Sequence, residues 1–191
     1  MDAIKVIENE NVRFSIFQDV DPINPLEDCD HEERMVCFHG RYRLGDKHDY
    51  QQGDYSSWAE LKSAILRDNK GAVILPLYLY DHSGITISTT SFNDRWDSGQ
   101  VGFIYLTKEG MKKYYGENMP RYWRKRANEI LLGAVKTYDD YLTGNVYGFR
   151  IEQKVNGEWE YEESCWGFIG DIETSGIMDE MPSELREKKG A

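Results

Sequence analysis

The sequence predicts an α+β fold, an antiparallel or mixed β-sheet with about three helices packed against it in a single domain. Three observations lead there. Apolar residues recur at helical spacing in some stretches, while others are short runs rich in valine, isoleucine, tyrosine and phenylalanine closed by turn residues. The order reads strands, helix, strands, two helices, strands. A chain of 191 residues also fits one domain that buries a sizeable core. Within that domain, residues 1–33 read as an acidic N-terminal segment and residues 172–191 as a flexible tail.

MVCFHGRY, from Met35, supplies an early strand, preceded by the acidic loop DVDPINPLEDCDHEE, where Pro22 and Pro25 mark a link. The first clear helix starts at Ser57, a capping residue with Glu60 as its capping-box partner. Trp58, Leu61 and Ile65 share one face, and Gly71 is the stop. AVILPLYLY, then DHSG, then the alternating ITIST read as a hairpin. Pro76 has no amide hydrogen to give, so it belongs at an edge or a bulge. VGFIYL forms the next strand, and Thr107 caps a short helix, KEGMKKYY, that ends at Gly116. The longest helix begins near Pro120 and carries Trp123, Ala127, Ile130, Leu131, Ala134, Tyr138 and Leu142 on one stripe, with Gly144 ending it. Asn156-Gly157 then joins two strands as a hairpin. A strict two-residue turn places Phe149 opposite Ser164, whereas a shift of one pairs it with Cys165, so a bulge or a longer turn is expected.

Charge is the most informative bulk property. The net charge is −11, and it is uneven. Residues 1–34 hold ten Asp and Glu against three Lys and Arg, residues 152–182 hold nine against one, and residues 107–126 hold seven basic against two acidic. Such a chain repels nucleic acid, so direct nucleic-acid binding is not expected, and a basic protein surface is the favoured partner. The plain reading of the same runs is a solvated face. Apolar runs are too short to span a bilayer, and MDAIKVIENENVRF lacks the pattern of a signal peptide, so a soluble protein of the cytoplasm is expected. Three cysteines without framework spacing read as buried thiols.

Two polar islands interrupt apolar chain: Asp81-His82-Ser83-Gly84 and Trp96-Asp97-Ser98-Gly99-Gln100. Their first reading is as turns, since Asp-x-Ser-Gly can satisfy its own backbone. Their second is as pocket walls, with Asp81, His82, Trp96, Asp97 and Gln100 as candidate ligand contacts. His39 and Arg41, in a compact group with Tyr42 and Arg43, join that candidate pocket because arginine beside aromatics suits a phosphate, a carboxylate or a stacked base. The plainer reading of Arg41 and Arg43 is as solvated edge-strand charges paired with nearby carboxylates. Cys165 could take His39 or His82 as a base, but no cysteine-enzyme signature surrounds it and a buried structural thiol is the reading adopted. Cys29-x-His31 and Cys37-x-His39 offer four metal-ligating side chains without the usual knuckle spacing, so no metal is expected. The common nucleotide-binding and hydrolase motifs are missing from the sequence. No cofactor and no catalytic residue is assigned.

MVCFHGRYRLGDKH, LPLYLYDHSGITIS, RWDSGQVGFIY, YDDYLTGNVYGF and SCWGFIGD, which together cover roughly residues 34–171, resemble a family of small uncharacterised proteins of bacteriophages and mobile elements of Gram-positive bacteria. The resemblance implies no activity. It implies a genomic context in which accessory proteins block host defences, and anti-CRISPR or anti-restriction inhibitors are often small and acidic. The expectation is therefore an inhibitor that binds a host defence protein at its basic nucleic-acid-binding surface. Its candidate contacts are Glu27, Asp28, Asp30 and Glu32 near the N-terminus and Glu158, Glu160, Glu162 and Glu163 near the C-terminus. The alternative is a small-ligand or nucleotide binder, or a hydrolase, that uses the DHSG and RWDSGQ segments.

Overall fold

A computed structural model describes residues 2–28 and 30–186, with Asp28 described by its backbone alone. The strands in chain order are β1 (Lys5–Glu8), β2 (Val12–Gln18), β3 (Arg34–Cys37), β4 (Val73–Asp81), β5 (Ile85–Ser88), β6 (Ser98–Leu106), β7 (Val146–Val155) and β8 (Glu158–Ile169). The helices are α1 (Pro25–Asp28), α2 (Trp58–Asp68), α3 (Lys108–Tyr115) and α4 (Trp123–Leu142). The fold is α+β, as expected, and its strands form two four-stranded antiparallel sheets rather than one. By contact the chain divides into two compact units, residues 25–142 and residues 1–24 with 143–191.

In the 25–142 unit the sheet order is β3-β6-β4-β5. Strand alternation sorts its side chains onto two faces. Leu77, Leu79, Ile87, Ile104 and Leu106 pack with Ala127, Leu131, Val135 and Tyr138 of α4. Val36 and Phe103 point the other way and pack with Leu61 and Ile65 of α2. Helices thus cover both faces, and each fully buried leucine or phenylalanine contributes roughly 1.5–3 kcal/mol relative to exposure. Gly102 lets β3 approach β6, since a Cβ there would lie 1.9 Å from the Val36 carbonyl oxygen.

The expected punctuation is largely present. The Ser57 hydroxyl accepts the Glu60 N–H (3.3 Å), while the Glu60 carboxylate reaches one residue further back than a capping box requires, to Ser56 N–H and Oγ (2.7 Å each). The Thr107 hydroxyl accepts the Gly110 N–H (2.9 Å), and Gly116, at φ 61°, follows the last residue of α3. α4 starts three residues after Pro120, because residues 120–123 form a preliminary turn in which the Trp123 N–H donates to the Pro120 carbonyl (2.9 Å). Pro76 lies in the half of β4 that pairs only with β6. β5 joins from Tyr78 onward, next to a register shift at Leu77/Tyr78, so the missing donor never falls between two strands.

The other unit is a sheet of order β1-β2-β7-β8. The acidic segment 1–33 therefore contains two strands that the expected element order omitted, with Val12, Phe14 and Ile16 alternating inward. Phe14 stacks on Phe149 at 5.2 Å. Residues 172–186, expected as part of a tail, fold back over this face instead: Ile177 is fully buried, with Ile172, Met178, Met181 and Leu185 around it. The β7–β8 hairpin turns strictly at Asn156-Gly157, both at positive φ (54° and 91°), with Val155 opposite Glu158. The expected bulge is displaced into the arms. Register shifts between Ile151 and Glu152, and Phe149 then faces Cys165.

Candidate functional site

Both polar islands and the His39 loop lie in the 25–142 unit, where they meet. Asp81 ends β4 and His82-Ser83-Gly84 is the tip of the β4–β5 hairpin. The second island is only half turn. The Asp94 carboxylate accepts the backbone N–H groups of Trp96 and Asp97 (2.8 Å each), which fixes an Asx turn, and Ser98, Gly99 and Gln100 already belong to β6 opposite Tyr80, Leu79 and Tyr78. These two N–H bonds, the one from Asp97 the stronger, hold the Asp94 carboxyl below its usual range. The Asp81 N–H donates to the Asp97 carbonyl (2.8 Å), and that bond ties the islands together. Past the end of β3, the Phe38 N–H donates to the Val101 carbonyl (2.8 Å), which delivers His39 and Arg41 to the same edge.

The result is an open groove of about 420 Å³. His39 and Arg41 of the loop after β3, Asp81 at the end of β4, and Trp96, Asp97 and Ser98 of the second island all line it. Gly99, Gln100, Leu79, Phe38, Trp58 and Gln52 belong to the same lining. A smaller recess of about 260 Å³, lined by Tyr55, Ser56, Ser57 and Leu61, shares Phe38, Gln52 and Trp58 with it. Six of the seven candidate pocket residues thus line one groove. The seventh, His82, stands beside it with its Nδ1 2.9 Å from Asp97 Oδ2.

The polar groups are partly spoken for. His39 Nδ1 accepts the N–H groups of Arg41 (3.3 Å) and Tyr42 (3.2 Å), so the ring is the neutral tautomer with its proton on Nε2. Nε2 faces Asp81 Oδ2 at 3.9 Å, beyond hydrogen-bond range. Tyr42 stacks on the His39 ring at 5.1 Å. The Arg41 guanidinium pairs with Asp81 Oδ2, as one reading of the sequence had it. That pair is lopsided: the Asp81 side chain is 16% exposed and that of Arg41 69%. The Gln100 amide donates to the Gly102 carbonyl (3.2 Å). The Trp96 side chain stands almost wholly in solvent, the residue being 94% exposed.

The sequence missed Phe38 and Trp58 as parts of the site, and it placed Gly99 in the RWDSGQ segment without singling it out as a contact. A Cβ at Gly99 would meet nothing within 4 Å, and its φ demands no glycine, so neither packing nor conformation calls for it.

Other candidates fare differently. The thiol of Cys37 is buried and pushed up to about 12, by burial first and by the charge of Asp46 second, which leaves it a protonated and poor metal ligand. Cys29 and the side chain of Asp28 lie outside the described residues. Among the described residues there is no group of three or more His, Cys, Asp and Glu placed to hold a metal ion, and no helix long and apolar enough to cross a membrane. Cys165 is exposed and not the buried thiol expected, because β8 is an edge strand with no neighbour outside it. In the N-terminal acidic set, Glu32 is engaged by Lys113 (2.8 Å), while Glu27 and Asp30 are exposed. In the hairpin, Glu158, Glu160 and Glu163 stand opposite Val155, Gln153 and Ile151 and so share one face. Glu162 sits in the bulge, where it accepts the Gln153 amide N–H (3.0 Å).

No protein-family model, curated protein or solved structure matches this chain.

Proposed function

We propose that this protein binds a small polar ligand in the groove between the His39 loop and the Trp96-Asp97 turn. The observation that carries the reading is Gly99. A glycine in a strand interior costs roughly 0.5–1 kcal/mol relative to alanine, and here no neighbouring atom and no backbone angle accounts for it. What its bare backbone provides is open space in a groove that His39, Arg41, Asp97, Gln100, Phe38 and Trp58 also line. Few, fixed polar groups among aromatic side chains are the usual make-up of a ligand site. The test is Gly99→Val, whose branched side chain fits a strand and fills that space. Mass spectrometry of small molecules released on denaturing the natural chain should show a ligand missing from the valine variant, and equal release from both would refute the reading.

A second reading rests on the β7–β8 hairpin. Three exposed glutamates on one face, Glu158, Glu160 and Glu163, present negative potential that suits a basic protein surface and would speed docking to it. On this reading the partner is a host defence protein that handles nucleic acid and is inhibited by the contact. Reversing those three charges to lysine should abolish capture of such a partner and its salt dependence while leaving groove binding intact. Loss of capture in Asp97→Ala instead would move the function to the groove.

A further inference from the structure

The groove reading leaves open the sign of the ligand's charge, and the side chains bear on it. The lining carries two carboxylates, Asp81 and Asp97, against one guanidinium, Arg41. His39 adds no charge, because its Nδ1 is occupied as an acceptor. His82, beside the groove, is committed to Asp97 Oδ2, and Asp94 adds a further carboxylate in the same turn. Even with His82 protonated, the groove is not positive. The chain around it, at −11, deepens that bias.

The carboxylates are also incompletely used. Arg41 takes Asp81 through Oδ2, the nearest approach of His39 is to the same oxygen, and His82 takes Asp97 through Oδ2. Among the described residues Oδ1 of each is left without a protein partner, and neither is a buried unsatisfied atom. Two acceptor oxygens, on the carboxylates of residues joined by a backbone hydrogen bond, therefore remain for donors from outside. The Trp96 indole, next in sequence to Asp97, is exposed, and its backbone N–H is bound in the Asp94 turn. Such a ring attracts cations to its face. Arg41 reaches in from an exposed position to a largely buried carboxylate. It holds the place that an incoming guanidinium or ammonium would take.

We propose that the groove binds an organic cation, a guanidinium or primary ammonium group, held between the Asp81 and Asp97 carboxylates and against Trp96, with Arg41 as the internal competitor that it displaces. This rests on the groove being a ligand site. The same chemistry could arrive as a free small molecule or as an arginine side chain on a partner protein. The two sources differ in whether flanking peptide adds contacts in the neighbouring recess at Phe38 and Trp58.

The test titrates the full chain by calorimetry, and by NMR of the tryptophan indole N–H signals, with three probes. These are agmatine, a capped Gly-Arg-Gly peptide and adenosine monophosphate. Agmatine or the peptide should bind and shift the indole signal that disappears in Trp96→Phe. Agmatine as the tighter probe indicates a free ligand, and the peptide as the tighter probe indicates a partner side chain. Asp97→Asn should weaken either by about tenfold or more, as expected when a charge-assisted bond becomes a neutral one. Arg41→Ala should tighten either by about two- to fivefold, the value of an exposed ion pair that no longer competes. The sign of the Arg41 effect decides. Weaker binding in Arg41→Ala, or binding of the nucleotide alone, overturns the cation proposal while the groove reading survives through its own Gly99→Val result. No response to any probe overturns the cation proposal as well. Circular dichroism of each variant separates loss of binding from loss of fold.

Discussion

Two glycines three positions apart in β6 should respond in opposite ways to the same substitution. At Gly102 an added Cβ would lie 1.9 Å from the Val36 carbonyl oxygen and 2.9 Å from Cys37 Cα, against the roughly 3.3–3.6 Å that a carbon and a carbonyl oxygen normally keep. The atoms in the way are backbone, held by the Val36↔Phe103 and Cys37↔Gly102 pairs. No side chain can swing aside. Relief requires β3 to move off the sheet, which exposes Met35, Val36 and Cys37, now 0%, 1% and 8% exposed. Gly102→Ala should therefore cost at least about 3 kcal/mol, the upper part of the range for overpacking. At Gly99 a Cβ meets nothing, and alanine only restricts the unfolded chain, which stabilises by about 0.4–1 kcal/mol. The two alanine variants should differ by about 4 kcal/mol, and with a urea m-value of roughly 2 kcal/mol/M their midpoints should differ by about 2 M. Urea titration followed by far-ultraviolet circular dichroism measures this. Midpoints within about 0.25 M of each other would refute both the β3–β6 approach and the claim that Gly99 lines an open groove.

Tyr138→Phe removes the hydroxyl that accepts the Gly45 N–H (3.1 Å) under a side chain that is 1% exposed; it should cost about 1–2 kcal/mol and speed hydrogen exchange at the Gly45 amide. Burial pushes the Tyr50, Tyr114 and Tyr138 phenols up from 10.0 to about 12, with Asp68 reinforcing the first and Glu33 the second. Because the unfolded chain ionises these groups first, their stabilising contribution is complete below pH 10 and is lost as the pH climbs toward 12. An alkaline phenolate titration should show part of the thirteen tyrosines ionising only with unfolding, and a stability flat across that window would refute the assignment. Gly157→Ala forces a side chain into φ 91° in the hairpin turn and should cost about 1–2 kcal/mol, read as a lower thermal midpoint.

Local chemistry was legible wherever a few neighbouring residues decide it. Thr107 and Ser57 cap the helices they were expected to cap, and Asn156-Gly157 turns the hairpin, because capping and turn geometry are settled within about four residues. What stayed hidden depends on partners far along the chain. β2 pairs with β7 through matches such as Ile16↔Phe149, and no local pattern in an acidic N-terminal segment announces a mate that distant. A second sheet, and the folding back of Ile177 onto it, were hidden for the same reason. Cys165 looked buried because its flanks, Trp166 and Phe168, are apolar. Its exposure follows from β8 being outermost, which is a property of sheet order and not of sequence.

The polar islands show why turn and pocket wall were the wrong pair of alternatives. A loop can hold side chains in fixed positions only if its backbone is satisfied without them. Asp94 does this for the second island: it accepts two N–H groups and thereby leaves the side chains of Trp96 and Asp97 uncommitted to the turn. The carboxyl responsible is held below its ordinary 3.8, so the turn is fully formed at neutral pH and loosens only as the pH falls through that lowered value. His39 Nδ1 plays the same part for its own loop, taking the Arg41 and Tyr42 N–H groups and leaving the Arg41 side chain to reach Asp81. Residues that read as turn formers are thus the means by which their neighbours become wall residues. The groups to test for ligand contact are the ones that the turns do not use.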